Sequence, residues 1–204
     1  MRHEQYDPQP ASPSPQSPAP SPQSPMFLTL IGYRATGKTT LAQLLAERLG
    51  WDWIDADVEI ERRAGKSIAR IFAEDGESFF RDLEAVVTAH LCGRWRLVLA
   101  AGGGAPLREE NRFAMHAAGP VVWLRAKPET ILTRMMGDAT TAGRRPNLTD
   151  QGGLAEIVEL LALREPIYQE AADLAIDTEG KTLESLTAEI LDRLHLLPGS
   201  EDSP

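Results

Sequence analysis

The chain has 204 residues, 42% hydrophobic and 25% charged, the proportions of a soluble globular protein of about one domain. A formal net charge of −9 excludes a protein that coats nucleic acid through its overall field, though a local basic pocket stays open. The single cysteine, Cys92, excludes an internal disulfide and fits a reducing cytoplasmic compartment, and no apolar run reaches the length of a membrane span.

Residues 1–25 hold eight of the 15 prolines and repeat SPQSP at 14–18 and 21–25. Such a stretch has little to bury and reads as a disordered tail. It has no apolar core of a signal peptide, and Met26, just beyond it, is an alternative start. From Met26 the pattern changes. FLTLI (27–31) is a short apolar run that predicts a buried strand. Residues 38–49 place Leu41, Leu44, Leu45 and Leu49 at helical spacing, and Gly50 ends that helix. WDWI (51–54) predicts a second strand, and 57–92 predicts helical pieces broken at Gly65 and Gly76. LVLAA (97–101) predicts a third strand, closed by Gly102, Gly103 and Gly104. Residues 108–118 read as helix, VVWL (121–124) as a fourth strand, and Pro128 as the first residue of a further helix. Residues 137–149 are polar and irregular and read as a mobile loop. Residues 153–172 read as a helix that Pro166 kinks or interrupts, followed by a fifth strand at 174–177 and a last helix at 182–195. Trp51, Trp53 and Trp123 lie at or in strands and read as core. Alternating strands and helices imply a parallel sheet in a three-layer α/β/α sandwich. The folded part is one domain, 26–195, with a short tail at 196–204.

Gly32 to Thr39 fits G-x-x-x-x-G-K-[ST], between a strand and a helix. That loop wraps backbone N–H groups around a phosphate, and the helix N-terminus adds positive charge. Lys38 can reach the β and γ phosphates, and Thr39 can put its hydroxyl on Mg²⁺. The loop announces a nucleoside triphosphate and leaves the acceptor open.

Asp55 and Asp57 follow the second strand. In extended chain both carboxylates face one place; alternatively Asp57 caps the next helix. Arg81 and Glu84 share a helix face beside Phe79, Phe80, Leu83, Val86 and Val87, so Arg81 needs a carboxylate or a carboxylated ligand. Three consecutive glycines, 102–104, permit close backbone approach to a ligand or simply form a turn. Arg144 and Arg145 lie in the irregular loop, and Arg164 precedes Glu165 and Pro166. Cys92 reads as a packed helix-end residue.

The ordered series GYRATGKTT, IDADVEIERRAGKSIARIFAEDGESFFRDLE, LAAGGGAPL, RRPNLT, REPIYQEAA and IDT resembles the shikimate kinase family, of the nucleoside monophosphate kinase-like P-loop fold, over about residues 26–195. The resemblance implies a sheet of order 2-3-1-4-5, a substrate region near 57–85 and a lid near 137–149. It implies transfer of the ATP γ-phosphoryl group to the 3-hydroxyl of shikimate, with Mg²⁺, by a cytoplasmic monomer without nucleic-acid or membrane partners. Ala35, Thr36, Gly37, Lys38, Thr39 and Thr40 then hold the ATP phosphates, with Thr39 and outer-shell Asp55 at the metal. Asp57 binds the ring hydroxyls and accepts a proton. Arg81 and Arg164 bind the carboxylate, Glu84 orients that region, and Gly103, between Gly102 and Gly104, meets the substrate by its backbone. Arg145 is the lid arginine near the phosphates, and Lys181 lies near the adenine.

Two positions depart from the family. Ala35 stands where a glycine is usual, which predicts negative φ or strain. Asp138 stands where the lid usually begins with an adenine-stacking arginine, and Arg134 is nearby in sequence. The rival readings are a P-loop kinase for gluconate or a nucleoside monophosphate, and a nucleotide-binding regulator that has lost transfer.

Overall fold

The computed structural model describes residues 26–137 and 153–196. The tail at 1–25, the tail at 196–204 apart from Leu196, and the segment expected to form the lid apart from Gly137 lie outside the described residues.

The elements run β1 (Phe27–Ile31), α1 (Lys38–Leu49), β2 (Asp52–Asp55), α2 (Ala56–Ala64), α3 (Ile68–Glu74), α4 (Gly76–Cys92), β3 (Leu97–Ala100), a 3₁₀ turn (Ala105–Leu107), α5 (Glu109–Ala118), β4 (Val121–Arg125), α6 (Pro128–Gly137), α7 (Gly153–Ala171), β5 (Leu174–Asp177) and α8 (Leu183–Arg193). All five strands are parallel, in the order β2-β3-β1-β4-β5.

β1 is central, paired with β3 on one side and β4 on the other, so both its faces are covered and every residue is buried. Its side chains alternate between the two faces. Leu28 and Leu30 pack with Leu41 and Leu45 of α1 and Leu186 and Ile190 of α8. Phe27 packs with Ile60, Ile71, Phe80 and Val87 of α2 to α4, and Ile31 with Met115 of α5 and Tyr168 of α7. The three-layer sandwich thus follows from one strand with two apolar faces. Because the strands are parallel, their C-terminal ends share one edge, and β1, β2 and β3 deliver the phosphate loop, Asp55 and the glycine turn there.

Element boundaries shift by a residue or two from the sequence expectation, and two expectations change. Pro166 does not interrupt α7, which runs unbroken from Gly153 to Ala171. Trp123 is buried and Trp51 partly so, but Trp53 is 40% exposed, because β2 is the edge strand of the sheet.

Thr29 is the polar member of β1. It is fully buried, and its Oγ1 finds no hydrogen-bond partner among the described residues. A buried hydroxyl without a partner is destabilising, whereas a methyl in the same space is not. Thr29→Val should therefore raise the unfolding free energy by about 1 kcal/mol in a urea titration. A fall of that size would mean that the hydroxyl is hydrogen-bonded.

Candidate active site

The chain leaves β1 through Gly32, whose φ is +138° and where a Cβ would stand 2.5 Å from the Leu124 carbonyl oxygen. No other residue fits that approach. Gly37 caps α1, whose first residue is Lys38, so the loop closes directly onto a helix N-terminus. The Lys38 Nζ donates to the carbonyls of Gly32 (2.9 Å) and Tyr33 (2.8 Å), and the Thr36 hydroxyl donates to the Tyr33 carbonyl (2.8 Å). Ala35 to Thr40 are thereby brought together around one concave turn. Ala35 adopts φ +61°, the left-handed conformation natural to glycine, so the loop keeps its shape and the alanine carries the strain.

Beside this loop the Thr39 hydroxyl donates to Asp55 Oδ2 at 2.6 Å. Asp55, not Asp57, is the N-cap of α2, with its Oδ1 accepting the Asp57 N–H at 2.9 Å. Strand β2 ends at Asp55, which places Asp57 in the first turn of α2. The two carboxylates therefore share this corner through a cap turn rather than through one strand face.

α4 brings Arg81 to the same edge. Its Nη1 donates to Glu84 Oε2 at 2.6 Å, its Nε reaches Glu77 at 3.3 Å, and its guanidinium lies 5.0 Å from the Phe80 ring centre. Glu84 is buried. The glycine turn explains the close fit: a Cβ on Gly104 would run into the Arg81 guanidinium, and one on Gly103 would stand 3.2 Å from the Gly32 carbonyl oxygen. Gly102 accepts the Ala105 N–H at 3.0 Å, which tightens the turn. In this structure the turn packs against Arg81 and the phosphate loop.

Arg164 lies on α7. It is only 8% exposed, yet no carboxylate among the described residues pairs with it. Its guanidinium lies 5.6 Å from the ring centre of Tyr33, the second residue of the phosphate loop. Burial pushes the Tyr33 hydroxyl above its ordinary range, so the ring stays neutral under the cation. Arg34, next in the loop, pairs with Glu156 of α7 at 2.6 Å, and the Tyr168 hydroxyl donates to the Gly103 carbonyl at 2.5 Å. Tyr33, Arg34, Glu156 and Tyr168 were not singled out in the sequence. Their partners lie up to 122 positions away, and no local spacing signals them.

Lys181, after β5, forms an ion pair with Glu189 at 2.6 Å. Arg134 reaches the same loop, where it donates to the Thr178 hydroxyl at 3.3 Å. Arg144 and Arg145 lie outside the described residues. Burial pushes the Cys92 thiol up to about 11, which keeps it protonated and unreactive at neutral pH.

The family model for shikimate kinase matches residues 34–195. A shikimate kinase of Rhodopirellula baltica is 46% identical over 167 residues, 82% of this chain and 89% of the relative. One from Symbiobacterium thermophilum is 42% identical over 83% of this chain and 96% of its own length. Among solved structures, the shikimate kinase of Acinetobacter baumannii in complex with shikimate superposes with a TM-score of 0.77 at 37% identity, over 83% of this chain and 92% of that one. A gluconokinase from Sinorhizobium meliloti shares the fold alone, at 15% identity and a TM-score of 0.52.

The left-handed alanine generates its own test. Ala35→Gly should raise the unfolding free energy by about 0.5–1 kcal/mol, the relief of backbone strain less the added freedom of the unfolded chain. Urea denaturation reads this directly, and an unchanged midpoint would show that the loop accommodates alanine without strain.

Proposed function

Because the chain belongs to the shikimate kinase family, we propose that the edge just described binds ATP and shikimate side by side and transfers the γ-phosphoryl group to the shikimate 3-hydroxyl. ATP-dependent phosphorylation of shikimate is the activity of this family, and it is the activity of this chain. The observation that carries the assignment of roles is Arg164, a nearly buried cation without a carboxylate partner among the described residues. Such a group needs an anion, and the shikimate carboxylate supplies one.

In this reading the backbone N–H groups of Ala35 to Thr40 cradle the ATP phosphates, and Lys38 moves from its carbonyl partners onto the transferring group. Arg81 and Arg164 hold the carboxylate from two sides, with Glu84 fixing the Arg81 fork. Gly102 to Gly104 form the floor against which Arg81 rests. Asp57 holds the ring hydroxyls. The 3-hydroxyl oxygen bonds to the γ-phosphorus as the bond to the β–γ bridging oxygen breaks, ADP departs, and the hydroxyl proton passes to the Asp57 carboxylate. In the same reading Arg145, which lies outside the described residues, is assigned to the phosphates, and Lys181 to the adenine side.

Magnesium fits this corner. The Thr39 hydroxyl and the Asp55 carboxylate are a pair of hard oxygen donors 2.6 Å apart beside the phosphate loop. Among the described residues no cluster of three or more His, Cys, Asp or Glu side chains could hold a metal ion, and Mg²⁺ shared with phosphates needs none. Thr39 would hold it directly and Asp55 through water; the ion supplies neutralisation of charge between the phosphates. The lone cysteine supports a cytoplasmic setting, and among the described residues no helix is long and apolar enough to cross a membrane. We read the enzyme as a monomer with its catalytic domain at 26–195.

A coupled ADP-release assay with Mg-ATP and shikimate should show turnover. Lys38→Ala should lower kcat by about 100-fold or more, some 3 kcal/mol of transition-state stabilisation. Turnover with gluconate or a nucleoside monophosphate and none with shikimate would overturn the reading.

A further inference from the structure

Helix α7 carries Arg164 and is pinned by hydrogen bonds on both sides of it. Eight residues before Arg164, Glu156 pairs with Arg34 of the phosphate loop at 2.6 Å. Four residues after it, the Tyr168 hydroxyl donates to the Gly103 carbonyl at 2.5 Å, on the turn that packs against Gly32. Ile157 and Leu161 also pack with Tyr33 of the loop and Ile131 of α6, and apolar contacts are non-directional, so they set register less sharply than a charged hydrogen bond. Between Arg164 and the second pin stands Pro166, which has no N–H for the Ala162 carbonyl and weakens the helix there. The Tyr168 pin therefore transmits its register poorly to Arg164.

The charge arrangement points the same way. Two guanidinium groups, Arg34 and Arg164, each lie 5.6 Å from the Tyr33 ring centre, and Glu156 of α7 pairs with Arg34. Arg34 engages Glu156, and the side chains are 10% and 1% exposed. A buried pair of this kind adds little net stability, because desolvation offsets the attraction, but its direction is well defined. No carboxylate among the described residues is then left on Arg164.

We propose that Arg34 and Glu156 are positioning residues for the acceptor substrate: their ion pair sets the register of α7 on the phosphate loop and so fixes the Arg164 guanidinium relative to the transferring phosphoryl group. The proposal rests on Arg164 being a shikimate-carboxylate ligand.

The test separates position from stability. Single truncations strand a buried charge and lower stability whatever the role. The double variant Arg34→Met/Glu156→Met removes both charges and should keep a melting temperature close to that of the wild type. Its shikimate KM should nevertheless rise about 10-fold with a lowered kcat, while the ATP KM changes less than about 3-fold. If the double variant does not fold, Glu156→Gln keeps shape and a hydrogen-bond acceptor, and its shikimate KM should still rise about 3-fold or more. Wild-type kinetics in a folded variant would make the pair merely structural. Equal increases in both KM values would assign it to the phosphate loop alone. Either result overturns the proposal, while absence of shikimate turnover in the wild type would overturn the function it rests on.

Discussion

An arginine withdrawn from bulk water, with no carboxylate partner among the described residues, is the constraint around which this site is arranged. Burying a cation is costly, and among the described residues Arg164 has the Tyr33 ring 5.6 Å away and the Arg34–Glu156 pair on its own helix. In the proposed function the shikimate carboxylate offsets that cost. An acidic protein that handles two anions has to gather its cations locally, and in the proposed function Lys38, Arg81 and Arg164 are those cations while the overall charge is −9.

Backbone contact, more than side-chain contact, joins the two halves of the site. The phosphate loop can leave β1 only because Gly32 lets the chain pass the Leu124 carbonyl. The glycine turn after β3 lies against that loop at Gly103 and against Arg81 at Gly104. In the proposed function the nucleotide side and the acceptor side therefore share this floor. Distances between reacting groups are set by strand register, which a packed parallel sheet holds firmly, and in-line phosphoryl transfer depends on such positioning.

Much of this was legible in the sequence because it is local. The apolar strands, the glycine stops, the phosphate loop and the Arg81–Glu84 spacing each declare themselves within a few residues. The Asp55 and Asp57 geometry was misread because the strand-to-helix boundary falls between them, and a shift of one residue turns an extended pair into a cap turn. Ala35 was marked as unusual, but only the fold showed that the loop imposes positive φ on it. The Arg34–Glu156 pair joins positions 122 apart, so it exists only once α7 is laid against the loop. Trp53 read as core from its strand position, but β2 is an edge strand flanked by Asp52 and Asp55 and leaves it exposed.

In the proposed function Arg164 holds the shikimate carboxylate. Isothermal titration of wild type and Arg164→Ala with shikimate and with its methyl ester measures that most directly. The account predicts that the ester binds the wild type about 30-fold more weakly than shikimate, the worth of a charge-assisted contact, and that most of this difference disappears in Arg164→Ala. Equal affinity of the wild type for acid and ester, or a difference that survives intact in the variant, would contradict it.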